Sequence, residues 1–97
     1  GNRSGETLWN MPLFDGYLKH LESDVAQLSN MDESREGGAC VAAKFLEQFV
    51  DERIAWAHID MAGQMGSNQT KGCLTKGATG FGVRLLSQYL IAKDKRI

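Results

Sequence analysis

The sequence has little of several features that mark specialised classes of protein. It contains one proline and two cysteines, and the cysteines lack the C-x-x-C spacing of a metal or redox motif. Basic and acidic residues nearly balance, with a net charge of -1 and a pI near 6.1. Charge therefore offers no argument for binding nucleic acid or an anionic membrane. No apolar run approaches the ~20 residues that span a bilayer, and the amino end does not resemble a signal peptide.

The length and composition are those of one small domain. The 97 residues are 42% hydrophobic and 24% charged, as in an ordinary soluble globular protein, and no internal boundary is evident between residues 1 and 97. The chain begins without an initiator methionine, so we expect a segment of a longer protein. Cys40 and Cys73 favour a reduced pair, typical of the cytosol, over a disulfide.

Periodicity predicts three helices and two strands. Apolar residues recur with helical spacing in three segments, residues 17–22, 39–50 and 82–93. Two other segments, residues 23–30 and 55–61, have the period-two alternation of side chains that predicts a β-strand. The predicted order is therefore α-β-α-β-α, with a long polar loop over residues 63–76, and loops of that length are more often functional than idle.

The predicted helix ends carry suitable residues. Asp15 is a candidate N-cap for the first helix. Lys93, Lys95 and Arg96 lie at the carboxyl end of the last helix, where positive charge complements the helix dipole. His20 and Asp24, four residues apart, are interpreted as a solvated or lightly paired helix end.

The predicted strand at residues 55–61 is apolar on both faces apart from His58 and Asp60, as in a central strand covered on both sides. Burying a His and an Asp requires partners. They are either a hydrogen-bonded structural pair, which we favour, or part of a metal or acid–base site. A metal site needs further ligands, and no other His, Asp or Glu has an obvious spacing to join them. The strand ends at Gly63, where another backbone can approach closely.

The glycine-rich segment before the last helix, residues 76–82, invites comparison with a phosphate-binding loop. It lacks the G-x-x-x-x-G-K-[ST] order, and no strand leads directly into it. We therefore favour a tight turn whose backbone N–H groups face a neighbouring element. In that interpretation Thr79 caps the last helix or ties the loop down.

Four sequence blocks can be read together. They are Trp-Asn-Met-Pro-Leu at residues 9–13, Gly-Gly-Ala-Cys-Val-Ala-Ala-Lys-Phe-Leu at 37–46, Trp-Ala-His-Ile-Asp-Met-Ala-Gly at 56–63 and Lys-Gly-Ala-Thr-Gly-Phe-Gly-Val-Arg-Leu-Leu at 76–86. In this order the chain, from about Trp9 to Leu90, resembles the C-terminal part of the catalytic domain in the leucyl (cytosol) aminopeptidase family. The resemblance implies an α/β fragment of a mixed sheet covered by helices, as in zinc-exopeptidase-like catalytic domains.

The resemblance also implies a function, that of a two-metal exopeptidase releasing N-terminal, preferably apolar, residues from peptides. Family members with an Ala-Gly-x-Met arrangement use that Ala and Met in the wall of the pocket for the substrate's first side chain. The matching residues are Ala62 and Met65, and a flexible, polarisable Met suits such a pocket. We expect His58, Asp60, Gly63, Thr79 and Gly80 to be structural residues near this site.

The resemblance implies that catalysis takes place outside this chain. The family's metal ligands, one Lys and several Asp and Glu, lie upstream in segments such as Asn-Thr-Asp-Ala-Glu-Gly-Arg, which this sequence lacks. We therefore expect two divalent ions, Zn or Mn, bound by the parent protein outside this segment, and no activity of the isolated residues. The expected partners are a peptide substrate, the upstream part of the same domain and further copies in a cytoplasmic homohexamer, without nucleic acid or membrane.

The sequence departs from the family pattern at two places. Asn10 stands where the family commonly has Arg, and Gln27 stands where it usually has Asp. Losing a buried Asp removes a charge-assisted hydrogen bond. The alternative is therefore a segment of a catalytically impaired relative with a structural or assembly role. A stand-alone binding domain is disfavoured by the missing initiator Met and the uncovered central strand.

Overall fold

Two structural units make up the chain in the computed structural model, which describes residues 1–94. The central unit is Asn10–Asp60, and the terminal unit combines Gly1–Trp9 with the described residues from Met61 onward. The elements in chain order are a 3-10 helix (Asp15–Leu21), helix α1 (Gly38–Glu47), strands β1 (Gly66–Ser67) and β2 (Gly77–Ala78), and helix α2 (Val83–Lys93). None of the helices in this part of the chain is long and apolar enough to cross a membrane.

The central unit packs the 3-10 helix against α1. Leu21, Cys40 and Val41 are its buried apolar residues. A hydrogen bond with Cys40 raises the pKa of Tyr17 on the 3-10 helix. Cys40 is a free thiol, as is Cys73 in the terminal unit. The first two helical segments predicted from periodicity are therefore present and pack on each other.

Helix α1 begins at a left-handed glycine and ends in a tightened turn. Gly37 precedes it with φ +61°, a conformation that a side chain would strain, and its carbonyl accepts from Cys40 N and Val41 N at 2.9 and 3.0 Å. The regular helix ends at Glu47, three residues before the predicted end. Val50 N donates to Glu47 O at 3.0 Å, and such bonds between residues three apart commonly close a helix.

A buried lysine joins the two helical elements of the central unit. Lys44 is 5% exposed, and its Nζ lies 2.8 Å from Asp15 Oδ1 and 2.6 Å from Glu47 Oε2. The hydrogen bond between Lys44 and Asp15 lowers the pKa of Asp15 and raises the pKa of Lys44. The prediction that Asp15 is an N-cap is wrong, because Phe14 holds that position and makes no side-chain cap. Asp15 instead begins the 3-10 helix and pairs with the lysine.

Neither predicted strand is formed. Residues 23–30 and 55–61 contain no strand, and β1 begins at Gly66, inside the predicted loop. The order α-β-α-β-α is therefore replaced by three helices and a two-stranded antiparallel sheet. A strand needs a neighbour to accept and donate its backbone hydrogen bonds, and in the described chain the paired strands are β1 and β2. The coarse α/β assignment is confirmed.

The terminal unit places this short hairpin before α2. Gly66 lies opposite Ala78 and Ser67 lies opposite Gly77. The helix predicted over residues 82–93 is observed as Val83–Lys93, with Lys93 in its last turn. Lys95 and Arg96, which were predicted to complement the dipole, lie outside the described residues.

A carboxylate from the amino-terminal segment caps α2. Glu6 Oε2 accepts hydrogen bonds from Leu85 N at 2.8 Å and from Gly82 N at 3.2 Å. The first N–H groups of a helix have no partner within the helix, and Gly82 has no side chain to cap them. The negative charge also complements the positive end of the helix dipole. The sequence pattern gave no sign of this cap, because Glu6 is 79 residues from Leu85.

Most large apolar side chains in the described chain are exposed. The buried hydrophobic residues are Leu21, Cys40, Val41 and Leu85. On α2, by contrast, Val83, Leu86 and Leu90 are exposed with the spacing of one helix face. Exposed apolar residues along one helix face are typical of a surface that packs against another element.

We expect the carboxylates around Lys44 to contribute more to stability than the lysine itself. Lys44→Met removes the buried charge, and the Asp15 and Glu47 side chains, which are 90% and 35% exposed, can be hydrated. Replacing both acids (Asp15→Asn with Glu47→Gln) leaves a buried ammonium without a charged partner, the costlier change. Thermal unfolding should show a Tm lower by roughly 4–8 °C for the double variant and little change for Lys44→Met.

The same comparison predicts a pH dependence. Because its folded-state pKa is lowered, Asp15 stabilises the fold above its unfolded pKa of about 3.9 and loses that contribution as the pH falls through the folded value. The loss below about pH 4 should be smaller in Lys44→Met than in the unchanged chain. An equal acid dependence in both proteins would contradict the assigned pairing.

Candidate functional site

The two predicted pocket residues lie next to each other on the surface of the terminal unit. Gln64 N donates to Met61 O at 2.9 Å, which closes a turn with Ala62 and Gly63 at its central positions. Met65 follows the turn directly and precedes β1, and its side chain is 60% exposed. The turn therefore presents Ala62 and Met65 within one short surface segment.

Thr79 ties this segment to the loop before α2. Its hydroxyl donates to Gln64 O and accepts from Phe81 N at 3.2 Å. Its backbone N–H donates to Met65 O at 3.1 Å. Of the two roles predicted for Thr79, tying the loop down is confirmed, whereas the cap on α2 comes from Glu6.

Gly80 and Gly82 turn the chain from this loop into α2. Their φ angles are +67° and +95°, in the left-handed region that glycine adopts without strain. The predicted tight turn is confirmed, since the N–H of Gly82 faces the Glu6 carboxylate of a neighbouring segment. An anion approaching this helix end would meet that negative charge, which disfavours the phosphate-loop interpretation.

The close approach that Gly63 would allow is not observed within the described part of the chain and stays a prediction. A Cβ added at Gly63 would meet no heavy atom within 4 Å among residues 1–94. The prediction assumed a strand end facing another element, and the segment forms an exposed turn instead.

His58 and Asp60 belong to the central unit. The ring of His58 stacks on that of Trp56, with centroids 6.3 Å apart and planes 17° apart, within the range of favourable aromatic pairs. Residues two apart share a side of an extended segment, so this stack agrees with the predicted alternation. Both His58 and Asp60 are exposed, because no strand pairs with this segment in residues 1–94. Their structural role near the site stays a prediction.

No group of three or more His, Cys, Asp and Glu side chains in residues 1–94 is arranged to hold a metal ion. A divalent metal centre needs at least three such converging ligands. The location of the two metal ions that the family resemblance implies stays a prediction.

A His–Asp–Ser cluster in the central unit was missed by sequence reasoning. His20 Nδ1 lies 3.3 Å from both Asp32 Oδ2 and Ser34 Oγ, and Ser34 Oγ donates to Asp32 Oδ2 at 2.7 Å. His20 was interpreted with Asp24 as a solvated or lightly paired helix end; the structure shows a pairing of His20, but with Asp32. The local Asp-x-Ser turn, in which Ser34 N donates to Asp32 Oδ1 at 2.9 Å, is the signal that could have indicated it.

The geometry of this cluster does not suit nucleophilic catalysis. In a Ser-His-Asp triad the serine and the acid use opposite ring nitrogens, whereas Asp32 and Ser34 both contact Nδ1 of His20. The Ser34 hydroxyl also gives its hydrogen to Asp32. The hydrogen bonds from Ser34, with a smaller effect from His20, lower the pKa of Asp32. The cluster orders the loop before α1.

Comparison with known proteins decides the family. Residues 1–87 match the sequence profile described as the cytosol aminopeptidase family, catalytic domain. The chain belongs to the cytosol aminopeptidase family. The resemblance carried by the four sequence blocks is thereby confirmed.

Relatives of this cytosol aminopeptidase segment are similar over nearly all of its length. A probable cytosol aminopeptidase of Geobacter sp. (strain M21) is 48% identical over 93 residues, which cover 96% of this chain and 18% of that protein. Its counterpart in Rickettsia peacockii (strain Rustic) is 42% identical over 91 residues, covering 93% and 18%. The chain spans 18% of the length of these relatives. No solved structure matched the chain.

We expect the Thr79 hydroxyl to hold the hairpin of this aminopeptidase segment closed. Thr79→Val keeps the side-chain shape but removes the hydroxyl bonded to Gln64 O and Phe81 N, at a cost of about 1 kcal/mol. Amide hydrogen exchange at Phe81 and in β1 and β2 should become roughly five-fold faster if local opening governs exchange. Thr79→Ser, which keeps the hydroxyl, serves as the matched control. Unchanged exchange in Thr79→Val would remove this role.

Proposed function

We propose that this chain is the C-terminal portion of the catalytic domain of a two-metal, leucyl-aminopeptidase-like exopeptidase. The full-length protein releases N-terminal, preferably apolar, residues from peptides. The observation that carries the proposal is the match of residues 1–87 to the catalytic domain of the cytosol aminopeptidase family. Relatives named probable cytosol aminopeptidase, at 42–48% identity, support the same activity.

In this proposal the segment supplies scaffold and one wall of the specificity pocket. The turn at Ala62 and the adjacent Met65 are its contact surface for the substrate's first side chain. Two features of the structure support the assignment: Met65 is exposed and so available for contact, while its backbone is held by Thr79. Neither side chain carries an acid–base or ligand group, so their contribution is to recognition and not to bond cleavage.

The proposal assigns the two divalent ions, Zn or Mn, to parts of the full-length protein outside this segment. Support comes from the described residues, in which no group of side chains suits a metal ion. It also comes from length, because this chain spans only 18% of its relatives. Both ions and their ligands are therefore expected in the remaining sequence.

The partners proposed for the segment are a peptide substrate, the upstream part of the same catalytic domain and further copies in a homohexamer. The exposed apolar face of α2, with Val83, Leu86 and Leu90, supports a covering layer from the rest of the domain, since apolar surface is most stable when buried. The hexamer and a cytoplasmic location rest on family resemblance alone.

A catalytically impaired relative with a structural or assembly role is the alternative. It is favoured by the departures at Asn10 and Gln27 from the family's usual Arg and Asp. The two proposals differ in whether the full-length protein carries the metal-ligating Lys, Asp and Glu residues, and hence in whether it cleaves peptides.

We expect Met65 to tune specificity without affecting chemistry. In the full-length protein, Met65→Ala enlarges the pocket and removes apolar contact. The cost for leucine-like substrates should be roughly 1–3 kcal/mol of transition-state binding, with smaller losses or gains for bulkier aromatic substrates. The measurement is kcat/KM across Leu, Met, Phe and Ala substrates, with metal content determined alongside.

The matched control is Met31→Ala, since Met31 is an exposed methionine of the central unit. It should leave the substrate preference unchanged. A common fall for all substrates in Met65→Ala, or loss of the metals, would mean that Met65 is not a pocket wall.

The isolated 97 residues should show no aminopeptidase activity with any divalent metal. The reason is the absence of a suitable ligand group among residues 1–94. Hydrolysis of a leucine anilide by the purified segment is the measurement, with the full-length protein as positive control. Metal-dependent cleavage by the segment would overturn the proposed division of roles.

A further inference from the structure

The geometry points to Glu6 as a positioning residue for the pocket wall, acting through α2 and Thr79 on the backbone of Met65. This inference rests on the proposed function of Met65. Glu6 lies 59 positions before Met65 in the chain. Its charge has no role in the proposed contact between Met65 and the substrate. Hydrogen bonds within the terminal unit, joined by the short covalent segment 79–82, connect Glu6 to Met65.

The first step joins Glu6 to the start of α2. One carboxylate oxygen accepts from Leu85 N at 2.8 Å and from Gly82 N at 3.2 Å. Leu85 is a buried hydrophobic residue of this unit, so the carboxylate is bound where α2 meets the unit's interior. Charge-assisted hydrogen bonds of this kind are stronger than neutral ones. The position of Gly82 therefore depends on Glu6.

Glu6 is itself held by Ser4, which is buried. The Ser4 hydroxyl donates to Gly1 O at 3.0 Å and accepts from Glu6 N at 3.2 Å. The amino-terminal turn thus fixes the backbone from which the carboxylate reaches α2. Glu6 is anchored at both its backbone and its side chain.

The second step runs from Gly82 to Thr79. Only Gly80 and Phe81 separate them, a span of at most about 11 Å, and Phe81 N donates to the Thr79 hydroxyl at 3.2 Å. Both glycines have positive φ and would lose their order readily without an external anchor, since glycine has the greatest backbone freedom. The anchor at Gly82 therefore restricts Thr79.

The third step runs from Thr79 to the pocket wall. The Thr79 hydroxyl and backbone N–H donate to Gln64 O and Met65 O, and the adjacent Gly66 pairs with Ala78. Met65 is exposed, so these backbone bonds set where its side chain points. Removing the Glu6 carboxylate should therefore make the position of Met65 less ordered. The groups that cleave the peptide bond should be unaffected.

The test is substrate selectivity in the full-length protein. Glu6→Ala should lower the ratio of kcat/KM for Leu over Ala substrates about five-fold, chiefly through KM for the Leu substrate. Combining it with Met65→Ala should add little further loss of selectivity, because residues acting through one another are not additive. Glu6→Gln keeps a carbonyl oxygen as acceptor and should restore most of the selectivity. Glu52→Ala, at an exposed glutamate of the central unit, should leave it unchanged.

A fall by one common factor for all substrates, or additivity with Met65→Ala, would overturn the inference and leave Glu6 a purely stabilising residue. If Glu6→Ala fails to fold, the test uses Glu6→Gln. A fall in the Leu over Ala ratio of kcat/KM that is smaller than five-fold supports the inference. An equal fall in kcat/KM for all substrates overturns it. Hydrogen exchange at Thr79 and Phe81 separates this result from the proposed function. If the unchanged protein has no peptidase activity, the proposed function fails, whereas unchanged exchange in Glu6→Ala overturns the positioning role by itself.

Discussion

The N–H groups that begin α2 need an acceptor that their own neighbourhood does not provide. Gly82 has no side chain, and Glu6, 76 residues earlier, supplies the oxygen. Through these hydrogen bonds the carboxylate joins the amino-terminal segment to the start of α2 within the terminal unit. Among the described residues of that unit, Leu85 is the buried hydrophobic side chain. The hydrogen bonds of Glu6 therefore join segments that a larger apolar core would hold together in most domains.

The central unit has a comparable polar centre. Lys44 on α1 lies between the carboxylates of Asp15 and Glu47, and the first of these belongs to the 3-10 helix. A buried ammonium is tolerated only when its charge is compensated, so with Lys44 present the two helical elements require these carboxylates. Leu21, Cys40 and Val41 complete the contact with apolar surface.

The exposed apolar surface is consistent with the chain's place in its family. The match to the catalytic domain covers residues 1–87, yet the chain spans 18% of its relatives' length. Residues 55–61, which form no strand in the described chain, and the exposed face of α2 are the surfaces that the proposed function assigns to contact with the rest of the domain.

Several features of the protein follow from the sequence by itself. Helices α1 and α2 were predictable because apolar residues repeat every three to four positions and helix hydrogen bonds are local. The tight turn before α2 was predictable from its closely spaced glycines. The family could be identified because four blocks occur in one order.

Only the tertiary structure decided which distant residues meet. The partners of Asp15 and Leu85 lie 29 and 79 residues away, and no local pattern reports such distances. The failure at residues 55–61 has the same cause, because alternation shows that a segment can be a strand but not that a neighbour exists. Local periodicity determines elements, whereas ion pairs, caps and strand pairing depend on which separate segments the fold brings together.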